Sequence, residues 1–134
     1  MTADILRSCI VRALEEMKNK ALEMGIKGVA VASILNKGET YDWMGEMKVV
    51  ETPYNLTEGW NLVAIAWSKC GEVIATEADS GNPDHHKIMG EFGFVGGAYE
   101  EYKGYKMAFA FSGALSEEDL EVARHGINVM KTLI

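Results

Sequence analysis

Histidine is the side chain with the clearest chemical capacity in this sequence. Two of the three histidines are adjacent, His85 and His86, and the third is His125. Neutral imidazole is a good ligand for a metal ion or for the iron of a porphyrin. Adjacent residues on a helix point about 100° apart, so one of the pair at most would face a given site. The alternative is that the pair is exposed at a polar helix start and that His125 faces solvent or an interface.

A second candidate is the glycine-dense, aromatic segment 90–97 and the residues that follow it. It contains Gly96 and Gly97, and Tyr99 lies two residues further on. The segment lacks the phosphate-binding pattern GxxxxGK[ST], and antiparallel strands are predicted around it. Glycine at such a place indicates close backbone approach or a bulge. We therefore take Gly96, Gly97 and Tyr99 as candidates for lining a small-molecule pocket.

The residue pattern assigns no catalytic residue and no metal site. It contains no Ser-His-Asp or Cys-His constellation, and no Cys or His spacing completes a tetrahedral zinc set. The two cysteines, Cys9 and Cys70, form no CxxC pair, so they are predicted to be reduced. Glu118 and Glu121 lie about one helical turn apart and could hold a hard cation such as iron weakly. A solvated surface pair is the alternative, and enzymatic activity is left open.

Composition limits the classes of function. The chain has 134 residues, which predicts a single domain over 1–134. Its formal charge of -7 opposes nucleic-acid binding, which needs clustered cations. The first residues lack the basic region of a signal peptide, and no apolar run approaches the roughly 18 residues of a membrane span. These features predict a cytoplasmic protein.

The elements that must position these residues centre on a strand and a helix near the end of the sequence. Met107, Phe109 and Phe111 alternate with alanines, which predicts a strand with one large apolar face and one alanine face that permits close approach. Ser116 is predicted to cap the following helix, and Asp119 to return a hydrogen bond to the cap amide. An apolar stripe on that helix would lie on the sheet.

The remaining pattern predicts an antiparallel sheet of about five strands covered by helices. The first predicted elements are a helix over 3–24 ended by Gly25 and a hairpin of strands 29–35 and 40–47. A central helix is predicted from Asn55 or Thr57 to Lys69, and Gly71 interrupts it before a short continuation. A last hairpin is predicted to turn at Lys103 and Gly104. The central helix is apolar nearly all round. That property is typical of burial on both sides and favours subunit assembly.

Several residues and short motifs of this sequence together resemble one family, the GlcG/HbpS-like proteins. The matching residues are Ser112, Gly113, Ala114, Glu118, Asp119, Ala123, Gly126 and Ile127, and the stretch 22–25 before the first hairpin fits the same layout. Gly96 and Gly97 resemble the family's Gly-Gly-Ile-Pro segment. The sequence departs from the family at 66–70, where a Lys-Ala-Tyr-Thr-Ala-like run is usual. The family is described as haem-binding or haem-degrading and includes the C-terminal domain of PduO-type adenosyltransferases.

The resemblance implies an α+β, profilin-like sheet with helices on both faces, haem or a related tetrapyrrole as cofactor, and homo-oligomers as large as octamers. The predicted function is haem binding for storage, transport or sensing. The alternatives are an enzyme that degrades haem or acts on a small metabolite, and a structural subunit without a ligand. Candidate iron ligands are His85, His86 and His125, with Lys87 or Arg124 as partners for the propionates.

Overall fold

The structure is a computed structural model that describes residues 1–51 and 59–134. Its elements are α1 (Ala3–Met24), β1 (Gly28–Leu35), β2 (Trp43–Val50), α2 (Leu62–Thr76), β3 (Gly97–Tyr102), β4 (Tyr105–Ser112) and α3 (Ser116–Leu133). The described strands form one antiparallel sheet in the order β2-β1-β4-β3. Among the described residues, no helix is long and apolar enough to cross a membrane.

Helices cover both faces of the sheet, which confirms the predicted α+β architecture. Helices α1 and α3 pack on the face that carries Met107, Phe109 and Phe111. Helix α2 packs on the opposite face, against Ala108 and Ala110. The alanine face does permit close approach, since the α2 residue Cys70 brings its sulfur within 3.5 Å of the Ala108 carbonyl oxygen.

Three sequence predictions about the elements need correction. The sheet has four strands within the described ranges, where about five were expected. The strand β2 runs over Trp43–Val50, later than the predicted 40–47, because residues 36–42 are taken up by the turn after β1. The predicted helix caps Asn55 and Thr57 lie outside the described residues, and α2 begins after Asn61, whose side-chain oxygen accepts from the Ala64 N–H.

Helix α2 is also continuous through Gly71, where an interruption was predicted. Gly71 is exposed, and a Cβ at its position would meet no atom within 4 Å. A glycine inside a helix costs about 1 kcal/mol relative to alanine. Packing of the flanking buried residues against the sheet outweighs that cost.

Gly126 plays the opposite role on α3, because the crossing of α3 over α1 leaves no room for a side chain. A Cβ at Gly126 would lie 2.6 Å from the Met17 sulfur and 2.7 Å from Cδ2 of Phe109. Both neighbours are fully buried core residues. The glycine therefore sets how closely the two helices approach.

We expect the paired substitutions Gly126→Ala and Gly71→Ala to change stability in opposite directions. Overpacking at Gly126 should lower the free energy of unfolding by about 1–3 kcal/mol. The added methyl at Gly71 should raise it by about 0.5–1 kcal/mol, because it reduces the entropy of the unfolded chain. Urea denaturation followed by circular dichroism measures both. A Gly126→Ala variant as stable as wild type would contradict the close crossing.

Candidate functional site

A cleft of about 310 Å³ opens beyond the end of β4, between the start of α2 and the start of α3. Its buried floor is polar and its walls are largely apolar. The lining residues are Trp60, Leu62, Ile65, Lys69, Phe94, Val95, Ser112, Gly113, Ala114, Ser116 and Asp119. Such a combination, an apolar slot with a few polar groups at one end, is typical of small-molecule sites.

The floor of the cleft is built around an ion pair between two buried side chains. Nζ of Lys69 lies 2.9 Å from Oδ2 of Asp119, and the two side chains are only 4% and 5% exposed. The same ammonium donates to the carbonyl oxygen of Phe111 at 2.9 Å. The other carboxylate oxygen of Asp119 accepts from the Ala114 N–H at 3.0 Å. The pair thus joins α2 to α3 around the end of β4.

Burial dominates the electrostatics of this pair. It raises the pKa of Asp119 to about 6, although Lys69 and the N–H groups of Ala114 and Gly113 act in the opposite direction. It also lowers the pKa of Lys69, more than Asp119 raises it. Buried groups whose pKa values are shifted by desolvation together with a specific partner are typical of functional sites.

The predicted role of Asp119 in capping α3 is wrong. Helix α3 has Leu115 as its N-cap residue, and the Leu115 N–H donates to Oε1 of Glu118 at 3.1 Å. Asp119, the residue after Glu118, is not needed as a cap, and its side chain lines the cleft. The sequence did contain a signal for its partner: Lys69 stands among the residues of α2 that pack on the sheet, and a buried lysine requires an acceptor.

Gly96 and Gly97 lie against residues of α2, and neither is among the residues that line the cleft. A Cβ at Gly96 would lie 2.6 Å from Nζ of Lys69, and its φ of +134° is unfavourable for other residues. A Cβ at Gly97 would lie 2.7 Å from Cγ2 of Val73. The two glycines therefore permit the close approach of α2 that brings Lys69 to the end of β4.

Tyr99, the third pocket candidate, lies on β3 and also stands outside the cleft lining. Its N–H donates to a carboxylate oxygen of Asp79 at 2.9 Å. Its buried hydroxyl has no hydrogen-bond partner within the described part of the chain. Burial, with the nearby charge of Glu77, raises the pKa of this hydroxyl.

None of the three histidines lines the cleft. His85 and His86 lie in the segment between α2 and β3, which has no helix, so the predicted polar helix start there is wrong. Nε2 of His85 is 2.9 Å from Oε1 of Glu91, and His86 is exposed. His125 lies half-buried on α3, in a separate groove that it shares with Lys20.

An aromatic lip, formed by Trp60, Phe92 and Phe94, borders the mouth of the cleft. The rings of Phe92 and Phe94 stack with centroids 5.8 Å apart, and Trp60 meets Phe94 edge-on at 6.0 Å. Near the lip, His85 contacts Glu91 and the Lys87 side chain packs over Gly93, although His85 itself lines a separate groove at the end of α2. Lys87 is therefore near the lip, whereas Arg124 is engaged in an ion pair with Asp79.

Other candidate groups are not assembled for chemistry in the described residues. No cluster of three or more His, Cys, Asp and Glu side chains there could hold a metal ion. Glu118 caps the Leu115 N–H and Glu121 lies 3.5 Å from Lys20, so each has its own partner. Both cysteines are free, as predicted, and burial raises the pKa of the Cys70 thiol to about 12.

We expect Lys69→Met to destabilise the protein in a pH-dependent way. Removing the cation leaves the Asp119 carboxylate buried without its partner, which typically costs about 3–5 kcal/mol. Because burial already raises the pKa of Asp119 above its unfolded value, the folded state takes up the proton first as the pH falls. The loss of stability relative to wild type should therefore be smaller at pH 5 than at pH 8.

The matched control is Lys106→Met, which removes an exposed lysine paired with Glu77 at 2.7 Å. Exposed pairs contribute about 0–1 kcal/mol, so this variant should unfold near wild type at both pH values. Urea midpoints at pH 5 and pH 8 measure the effect. Equal destabilisation by Lys69→Met at the two pH values would contradict the described electrostatics of the cleft floor.

Comparison with known proteins identifies the fold. No family model matches the sequence, and no curated protein matches it. Among solved structures, a crystal structure of a PduOC:heme complex superposes with a TM-score of 0.61 at 17% identity, over 96% of this chain and 94% of that chain. The Klebsiella pneumoniae protein ORFY, of the DUF336 family, superposes with a TM-score of 0.53 at 16% identity, over 93% of this chain and 87% of that chain. The fold expected from the family resemblance is thus confirmed.

Proposed function

We propose that this chain is a GlcG/HbpS-like protein that binds haem, or a related tetrapyrrole, in the cleft and against the aromatic lip. The observation that carries the proposal is an apolar slot with a buried cation at its floor, in a fold shared with a PduOC:heme complex. Storage, transport or sensing fits a cleft that opens to solvent. Haem degradation is the alternative that the experiment below separates.

The size of the cleft determines how such a ligand would lie. At about 310 Å³ it falls at the lower end of the roughly 300–1,000 Å³ found for ligand pockets. A tetrapyrrole would therefore enter with part of its ring and extend across Trp60, Phe92 and Phe94. Flat aromatic surfaces favour stacking with a planar macrocycle.

The same placement favours His85 and His86 over His125 as the iron ligand. His85 contacts Glu91, which precedes Phe92 of the lip, and His86 is its sequence neighbour, whereas His125 lies in the groove with Lys20. A ligating histidine usually bonds its second ring nitrogen to a carboxylate or carbonyl, which orients the ring. The contact of His85 with Glu91 has this form. When bound, haem would supply the redox and ligand-binding chemistry of its iron.

A haem titration of the purified protein, followed by absorbance, tests the proposal. We expect saturable binding with a shifted Soret band that is lost in His85→Ala or in His86→Ala. His125→Ala, outside the proposed site, should titrate like wild type. Unsaturable absorbance in a folded protein would overturn the proposal. Time-dependent loss of the band on adding a reductant would favour degradation over storage.

A cleft-filling variant locates the binding site. Ala114→Trp adds a ring to the wall while it retains the backbone N–H that Asp119 binds, so it should weaken haem binding at least tenfold. Ala75→Trp adds the same ring to an exposed position of α2 outside the cleft. This control should leave affinity unchanged. Equal affinity of the two variants would place the ligand elsewhere.

We further propose that the protein forms homo-oligomers through the segment that carries the lip. Ile88, Met89 and Phe92 are large apolar side chains exposed in this one segment, and Met89 is fully exposed. Burying such exposed apolar side chains against a second subunit would remove them from water. The central helix, by contrast, exposes Trp67 only partly.

Light scattering tests this assembly. We expect a wild-type mass that is a multiple of 14.7 kDa and a Met89→Glu variant that dissociates toward 14.7 kDa, because a charge at an apolar interface is costly to bury. Leu22→Glu places the same charge on an exposed site of α1 and should not change the mass. A wild-type mass of 14.7 kDa would contradict the assembly.

A further inference from the structure

We propose that the floor of the cleft is a carboxylate-binding subsite formed by Lys69, Ser112 and the first turn of α3. Its ligand would be a flat apolar molecule bearing a carboxylate. The propionate of a bound tetrapyrrole belongs to this class, and to that extent the inference rests on the proposed function. It adds which end of the ligand enters the cleft and what holds it there.

Ser112 is the observation that points to a ligand. The residue is only 4% exposed and lines the cleft. Its hydroxyl forms no hydrogen bond with any of the residues the structure describes, whereas the neighbouring Lys69 and Asp119 are paired with each other and with the backbone. A hydroxyl that lines a cleft and has no partner among these residues is suited to a polar ligand atom.

Lys69 provides a second donor of the right charge. An ammonium group has three N–H donors, and two of them are used, by Phe111 and Asp119. The third is available at the cleft floor. Its hydrogen bond to a carboxylate would be charge-assisted and correspondingly short and strong.

The start of α3 completes the subsite. Leu115 and Ala114 donate their N–H groups to acidic side chains, whereas the N–H groups of Ser116, Glu117 and Glu118 have no side-chain acceptor in the described chain. Ser116 lines the cleft with its hydroxyl as well. Free N–H groups at a helix start, together with the helix dipole, favour an anion.

Of the acidic residues of this turn, only Asp119 lines the cleft. Glu117 lines the groove of His125, and Glu118 lines a third groove beside Leu115. Asp119 is neutralised by Lys69 at 2.9 Å. The walls explain why the anion should be carried by an apolar body, since Trp60, Ile65 and Phe94 line the way to the floor.

Two variants remove donors without disturbing the fold. Ser112→Ala deletes the hydroxyl, and Ser33→Ala, at an equally buried serine of β1, is its control. Ser116→Pro deletes both an N–H and a hydroxyl at the first position of α3, where proline is well tolerated. The preceding Leu115 has φ -69° and ψ 153°, a conformation that is compatible with a following proline.

The experiment compares haem with its dimethyl ester, and 2-naphthoate with its methyl ester, by titration of the whole chain. We expect each acid to bind wild type and Ser33→Ala about tenfold more tightly than its ester, because an ester oxygen accepts the hydrogen bonds of Lys69, Ser112 and the helix start without a negative charge. Ser112→Ala and Ser116→Pro should each abolish most of that preference. Acid and ester binding equally well would overturn the subsite while leaving haem binding intact.

The two proposals fail separately. One outcome is that 2-naphthoate binds more tightly than its ester, that Ser112→Ala abolishes this difference, and that no tetrapyrrole binds. The subsite is then supported and the haem proposal is wrong. If neither acid binds to a folded protein, the subsite is wrong. Circular dichroism of each variant confirms that it is folded before titration.

Discussion

The ion pair of Lys69 and Asp119 is the interaction on which the arrangement of this protein depends. It connects helices that lie on opposite faces of the sheet, and it does so around the end of β4. Two charges withdrawn from water are tolerated only when their partners are complete. Here the carbonyl of Phe111 and the N–H of Ala114 complete them. The end of β4, the loop that follows and the first turn of α3 are fixed by these contacts.

The cleft is a consequence of this bridge. For Lys69 to reach Asp119, α2 must lie close to the sheet, which the alanines of β4 and the glycines before β3 permit. The backbone between Ser112 and Ser116 then runs past the start of α2 and lines the cleft. Apolar residues of α2 and of the segment before β3 form the walls, so that one slot has an apolar entrance and a polar floor.

The proposed ligand binding and the proposed assembly both involve the segment between α2 and β3. It holds the paired histidines, two rings of the aromatic lip and the most exposed methionine of the chain. Its internal contacts, between His85 and Glu91 and between Lys87 and Gly93, fold it back on itself beside the cleft. Both proposed functions therefore use one surface. A ligand that covers the lip would also change the apolar area available for contact with a second subunit.

Local patterns were sufficient to predict much of the fold. The alternation of large residues and alanines in β4 assigned its two faces correctly, because side-chain direction in a strand has a period of two. The helix over 3–24 ended at Gly25, whose left-handed φ of 72° a glycine readily adopts. The last hairpin turned at Lys103 and Gly104 for the same local reason. Gly71 was misread because local propensity was taken to outweigh packing.

The candidate site depended on contacts between residues distant in sequence, and there the local patterns failed. Asp119 looked like a cap because its spacing from Ser116 fits one, yet the carboxylate follows the buried charge of Lys69, fifty positions earlier. The histidines were predicted as ligands from their side-chain chemistry. Which pocket His85 and His86 lie near is decided by how the segment before β3 folds. The sequence by itself thus determined the elements and their apolar faces, whose causes lie within a few residues. Only the tertiary structure decided which polar groups share a cleft, because burial and pairing arise when separate elements pack together.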